Sequence, residues 1–345
     1  MSSEKSETPI ENTAENAVTQ NSESASEPNV GANGSKQNVH EQDHAEQKWN
    51  GRSRGGHFGT WFFVMLIKHL GLRAAYTFLC FVVPYFVLFA PKATRSTWNY
   101  CRRARQLGRW RSFVEVFAIY YNFGQCIIDK IAIGQGQSHL FNFVFDDEAQ
   151  VRELLSSQNP AIVLSGHIGT WESGSATFSQ FGKKMNVTIF DNESASVKQA
   201  IEREQQDRSF HFIPIGRDWL DGIIEIKNAL GRGEFVCFMG DRYMSGSPTN
   251  VVEFMGLPTR FTRGPFEVAA VMRVPVVFYF AMREPNKTYH FHFYMLKPEG
   301  SRRAMTDLIQ SEYVRRLEQM VRQYPRQWFN FFDYFDTESQ TQETK

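Results

Sequence analysis

Cysteine is sparse in this sequence: four residues in 345, Cys80, Cys101, Cys126 and Cys237, with no C-x-x-C spacing. That excludes a disulfide scaffold and a zinc-ribbon site. The four read as reduced, partly buried small apolar side chains in a cytosolic setting. Net charge is nearly absent as well, at +1, which on its face excludes a strongly electrostatic partner such as nucleic acid. There is no P-loop lysine motif, no dinucleotide glycine fingerprint and no internal repeat. Residues 1–47 contain no Phe, Trp, Tyr, Leu or Cys. Such a stretch has too little apolar surface to offset the entropy of ordering, and it reads as a disordered leader. It also lacks the basic start and apolar run of a signal peptide.

What is present changes the reading of the charge. The leader carries nine acids against two lysines, a net of −7, and residues 336–345 form a second polar tail at −2. Residues 48–335 therefore hold +10, and the bland total conceals a basic body. Aromatics reach 14%, with 31 Phe, a composition that suggests greasy surfaces or membrane contact.

One segment is membrane-like. Trp61 to Ile67 is apolar, Lys68, His69 and Arg73 interrupt, and Ala74 to Pro91 is an uncharged run of 18 residues. A spanning helix needs about 20 apolar residues, so the run is borderline. Pro84 within it would kink a helix or make it re-entrant. Basic residues on both sides leave orientation unfixed. A spanning anchor, an interfacial hairpin and a buried core helix all remain open at this point. The arginines that follow, Arg102, Arg103, Arg105, Arg109 and Arg111, suit an anionic headgroup surface or a solvated helix face.

Beyond this the pattern alternates. Helices are expected over 146–157, 170–181, 194–208, 218–230, 264–272 and 303–322. Strands are expected over 161–164, 187–190, 210–214, 234–239, 275–281 and 289–296. Such alternation implies an α/β fold with a mixed, largely parallel sheet flanked by helices, behind an N-terminal membrane-associated helical segment. The organisation is a leader (1–47), an anchoring and basic segment (48–111), a catalytic domain (112–335) and a tail (336–345).

The chemistry concentrates where the strand at 161–164 ends, in Ser165-Gly166-His167-Ile168-Gly169-Thr170-Trp171-Glu172. Reactive groups in such sheets sit at the carboxyl ends of strands. On one continuous helix His167 and Glu172 would point about 140° apart. With His167 in the loop, Glu172 on the next helix can reach back to it. A carboxylate holding one imidazole nitrogen leaves the other as a general base, which lets a substrate hydroxyl act as the nucleophile. Gly166 and Gly169 permit close approach of an acyl chain or of backbone. A hydrogen-bonded structural histidine is the plainer alternative.

This His-x-x-x-x-Glu element resembles the motif of the glycerolipid acyltransferase superfamily. In its Glu form it is similar to the bacterial lipid A late acyltransferases of the lauroyl/myristoyl type. The resemblance runs over roughly 50–335. Ile215-Gly216-Arg217 resembles the family's arginine block. Gly231-Arg232-Gly233-Glu234 and Phe238-Met239-Gly240-Asp241 resemble its strand ending in Asp. Phe254 to Thr259 resembles its Phe-Gly-x-Pro-Thr turn, and Tyr324-Pro325-Arg326-Gln327-Trp328 its terminal element. Two departures stand out. Arg242 occupies a position where Gln or His is usual, and Phe329 to Phe335 replaces a basic cluster. They point to a divergent branch acting on another envelope lipid.

The resemblance implies a membrane-associated O-acyltransferase at the bacterial inner membrane, with its catalytic domain on the cytoplasmic face. Its donor would be an acyl carrier protein thioester and its acceptor a lipid hydroxyl, with no metal, other cofactor or nucleic acid involved. His167 would be the base, oriented by Glu172. Arg217 would hold the oxyanion or a phosphate, and Asp241 and Arg242 would shape the acceptor site. Gly166, Gly169, Thr170, Gly256, Thr259 and Trp328 would line the substrate. Alternatives are a lysophospholipid-type acyltransferase, a non-catalytic lipid-binding protein, and a metallohydrolase in which His290 and His292 join His167 and Asp241. The Gly51-Arg52-Ser53-Arg54-Gly55 stretch matches a hydrolase elbow only in letters, because no buried strand precedes it.

Overall fold

The computed structural model describes residues 56–171, 182–190, 210–215, 219–243, 247–332 and 334–335. The leader, the tail and the helices expected at 194–208 and over most of 170–181 lie outside them, as do Glu172, Gly216 and Arg217.

The first element, α1 (Gly56–Phe89), is a hairpin of two helical arms. Gly71 departs from helical geometry at φ 80°, ψ 174°, a conformation that glycine alone adopts readily. A straight helix would set Phe62 and Phe78 about 24 Å apart; their ring centroids lie 4.8 Å apart. The chain therefore reverses at Gly71, and helical dihedrals continue through Pro84, where the kink was expected. By composition Trp61–Phe89 is long and apolar enough to cross a membrane. The reversal divides it into arms 56–70 and 72–89, about 22 and 27 Å long, each short of a ~30 Å hydrocarbon core.

On the second arm Leu72, Ala75, Leu79, Val83 and Val87 are buried, whereas Phe78, Phe81, Tyr85, Leu88 and Phe89 are exposed. The first stripe follows helical spacing and packs on α3 (Arg109–Gly134). Leu79 sits so close to Gly124 of α3 that a methyl there would meet its Cδ1 at 2.5 Å. The other stripe remains an uncovered apolar face. Pro91, the first residue of α2 (Pro91–Asn99), has no N–H to offer Val87, and the Thr94 hydroxyl donates to that carbonyl at 2.8 Å instead.

The remaining elements are β1 (Asn142–Phe145), α4 (Glu148–Ser156), β2 (Ala161–Ser165), β3 (Met185–Phe190), β4 (Phe210–Ile215), α5 (Trp219–Gly231), β5 (Phe235–Met239), β6 (Thr249–Phe254), β7 (Leu257–Thr262), α6 (Gly264–Met272), β8 (Val276–Glu284), β9 (Thr288–Leu296) and α7 (Arg302–Gln323). The main sheet has the order β1-β9-β8-β2-β5-β3-β4. Only the β8–β9 pair is antiparallel. The α/β, largely parallel expectation is met. The short edge strand β1, the separate β6–β7 hairpin and the length of α3 had no clear periodic signal.

Central strands are apolar on both faces, as in a covered parallel sheet. Ile162, Leu164, Val236, Phe238 and Phe278 join one core with α5, α6 and α7. Ala161, Val163, Phe235, Cys237 and Val277 join a second core with α1, α3 and α4. The strand β2 at the middle is wholly buried, so its end delivers the following loop from a rigid base.

Candidate active site

His167 sits two residues past β2. Its backbone N–H donates to Oδ2 of Asp241 at 2.7 Å, and its ring Nδ1 lies 2.8 Å from Oδ1 of the same carboxylate. Asp241 follows β5, which pairs in parallel with β2 from Ala161↔Phe235 to Ser165↔Met239. Adjacent strand ends thus bring the two residues together although they are 74 positions apart. Asp241 is 1% exposed and the His167 side chain 29%. Burial alone would raise the Asp241 carboxyl; the His167 ring and backbone bonds, with Arg242 beside them, outweigh that and hold it below the ordinary range.

Asp241, expected to shape an acceptor site, is therefore the carboxylate on His167. The ring's Nε2 has no hydrogen-bond partner among the described residues. Glu172 and Arg217 lie outside those residues.

The two glycines permit close approach of neighbouring protein groups. Tyr313 of α7 is fully buried and its hydroxyl donates to the Ser165 carbonyl at 2.8 Å. A Cβ on Gly166 would meet that hydroxyl at 2.9 Å, and one on Gly240 the ring at 2.9 Å. Gly169, at φ +61°, brings its Cα so near β8 that a Cβ would lie 2.0 Å from the Ala281 carbonyl oxygen. Tyr313 lies on the α7 helix. Its burial fits the apolar spacing with Leu317, Met320 and Val321.

A strap after α7 closes the loop from above. Gly169 N–H donates to Gln327 and Phe329 N–H to His167, both at 2.9 Å, around an antiparallel bridge between Ile168 and Trp328. The Gln327 side chain bonds both the N–H and the carbonyl of Arg283 on β8. Trp328 is buried, edge-on to Tyr100 at 5.0 Å and Phe254 at 5.3 Å. Arg242 donates to the Phe329 carbonyl at 3.3 Å. Gly256 and Thr259 are placed in the β6–β7 hairpin. Gly256, at φ +78°, makes its exposed turn, and buried Thr259 donates to Leu257.

Around His167, buried polar atoms without a hydrogen-bond partner include Ser165 Oγ, Thr170 Oγ1, Arg242 Nε, Trp328 Nε1 and Asn330 Nδ2. Such atoms are costly to leave unpaired. Asn330 was not singled out from the sequence, since it stands within an aromatic run. His290 and His292 do not join His167 and Asp241; they meet Asp146 at the opposite edge strand pair. The four-residue metal site of the metallohydrolase alternative is not assembled.

The family model for bacterial lipid A biosynthesis acyltransferases matches residues 120–337. The chain belongs to that family. The matched range contains the sheet, the His167–Asp241 pair and the strap. No curated protein matches the chain. Membership makes the chain an acyltransferase of the lipid A type.

Proposed function

We propose that this lipid A family acyltransferase moves a fatty acyl chain from an acyl carrier protein thioester to a hydroxyl of an envelope lipid, with His167 as the general base. The observation that supports it is the His167–Asp241 pair. Asp241 accepts the Nδ1 proton, which puts the lone pair on Nε2 of a side chain that is 29% exposed. That nitrogen takes the acceptor's hydroxyl proton as the oxygen attacks the thioester carbonyl. The proton then goes to the departing thiolate. Glu172, the acid of the His-x-x-x-x-Glu motif, as a further orienting carboxylate, and Arg217, as an oxyanion or phosphate ligand, complete the proposed set.

The donor and acceptor fit the charge and surface of the body. A basic region favours both an acidic carrier protein and anionic headgroups. A cleft of about 520 Å³ beside the strap is lined by Arg105, Arg111, Arg283 and Arg326 together with Glu115 and Glu284. The uncovered apolar face of α1 and the exposed Trp110 and Phe113 of α3 suit an interfacial location, proposed as the inner membrane with the sheet on the cytoplasmic side.

The test is acyl transfer by purified full-length protein from acyl carrier protein thioester to envelope lipid extract. His167→Ala should abolish transfer without changing the melting temperature by more than a few degrees. Full activity in that variant would refute the mechanism. Acyl release without an acceptor would identify a thioesterase instead.

A further inference from the structure

Strand β9 places His290 and His292 on one face, two residues apart, and their rings stack with centroids 4.2 Å apart. Asp146, just after β1, faces both. His290 Nε2 lies 2.7 Å from its Oδ1 and His292 Nδ1 lies 2.8 Å from its Oδ2. The register explains the meeting, because β1 pairs in parallel with β9 through Val144↔His290 and Phe145↔Phe291. The candidate ligand atoms all lie within 4.8 Å of one another.

The far side of each ring is occupied too. His290 Nδ1 is 3.2 Å from Glu284 Oε1, and His292 Nε2 is 3.2 Å from the Tyr324 hydroxyl. Tyr324 donates its one hydroxyl proton to Glu284 at 2.6 Å. Its oxygen is then free to accept, from Gln323 Nε2 at 3.2 Å and from His292 as the Nε2–H tautomer. Glu284, an acceptor, likewise takes the His290 Nδ1–H. A neutral imidazole has one N–H, so in the tautomer that donates to the outer partner each inner nitrogen keeps a lone pair. The inner nitrogens then turn lone pairs toward a carboxylate. Three electron-rich atoms at these distances need positive charge among them.

We propose that Asp146, His290 and His292 form a binding site for one divalent transition cation of the zinc class. Two imidazoles and a carboxylate are a donor set suited to such an ion, with a fourth position for water. The outer bonds to Glu284 and Tyr324 are the arrangement that orients metal-binding histidines. Asp146 and His290 are partly exposed, at 33% and 23%, so an ion can enter from solvent. The site joins β1, β9 and the end of β8 to Tyr324, three residues before Gln327. The bound ion would fix the start of the strap that holds the His167 loop. This role is structural and independent of the proposed reaction.

Full-length protein in detergent, purified without a histidine tag and stripped with chelator, provides the test. Zinc should bind at roughly one equivalent per chain and raise the melting temperature, and cobalt should give the visible bands of a tetrahedral site. Asp146→Asn and His290→Gln keep the outer hydrogen-bonding groups and should weaken binding at least about tenfold. No stoichiometric uptake by the wild type would overturn the proposal and leave protons as the charge between these groups. Equal uptake by both variants would overturn it as well.

Discussion

Asp241 grips His167 twice, accepting its backbone N–H through one carboxylate oxygen and its ring Nδ1 through the other. A single buried acid thus fixes both where the loop runs and which ring nitrogen is free. Asp241→Asn separates the two roles. Its carbonyl oxygen can still accept the backbone N–H, but its amide would donate to Nδ1 and place the ring proton on Nε2. A base needs that nitrogen bare. Transfer should fall by about 10²–10⁴ in kcat, with little change in KM and a near-normal melting temperature. Glu172→Gln, measured beside it, separates the motif's own acid from Asp241. A kcat within twofold of wild type for Asp241→Asn would remove the orienting role.

Gly169→Ala should unfold or severely destabilise the protein. The added methyl would lie 2.0 Å from a β8 carbonyl oxygen, at a φ of +61°, and no flexible side chain can yield there. Gly256→Ala is the control. Its φ is also positive, at +78°, but the space around it is open, so its cost should stay near 1 kcal/mol. Thermal unfolding of the two variants checks the contrast. Equal losses would mean that the contact with β8 is not what requires glycine.

The alternation of strands and helices was legible because central strands are short apolar runs and the later helices are periodic. A hairpin was among the readings of the apolar segment, but its turning point was not legible, since Gly71 is a single letter in that segment and its reversal depends on packing against α3. The site divides in the same way. His167 announced itself by standing among small residues after a buried strand. Asp241 was found as a residue, but its contact with His167 was not legible, because the β2–β5 register is what brings the two strand ends together. Gln327 and Asn330 act through a strap whose pairing with the loop leaves no local pattern. His290 and His292 were legible as a pair on one strand face, but their partner Asp146 was expected at the start of a helix over 146–157, and it instead follows the edge strand β1.

Asp129→Ala should loosen the first helices from the sheet. Asp129 is fully buried on α3 and accepts from Arg283 Nε of β8 at 2.8 Å and from the Tyr289 hydroxyl of β9 at 2.6 Å, with Tyr76 of α1 as a further donor. Removing it leaves the Arg283 guanidinium, only 13% exposed, without its counter-charge. Breaking one side of a buried pair costs about 3–5 kcal/mol. A drop of roughly 6–20 °C in melting temperature is expected at this size. A loss below about 1 kcal/mol would show that α1 and α3 are held by apolar packing alone.

Acid should release the first helices through Glu115. Its carboxylate receives Arg326 at 2.7 Å and Arg105 at 2.8 Å. The hydrogen bond from Arg326, followed by those of Arg105 and both charges, overcomes burial and lowers its pKa from 4.5 to about 2. The folded value lies below the unfolded one, so this stabilisation is complete above about pH 4.5 and is lost as pH falls from there toward 2. It amounts to something on the order of 2 kcal/mol. Glu234, Glu284 and Glu312 are lowered too, so the readout must be a difference. The gap in melting temperature between wild type and Glu115→Gln should be widest at neutral pH and narrow between pH 4.5 and 2.5. A gap that stays constant over that range would show that Glu115 gives no pH-linked stability, and that the Arg105 and Arg326 contacts hold the carboxyl equally well in either protonation state.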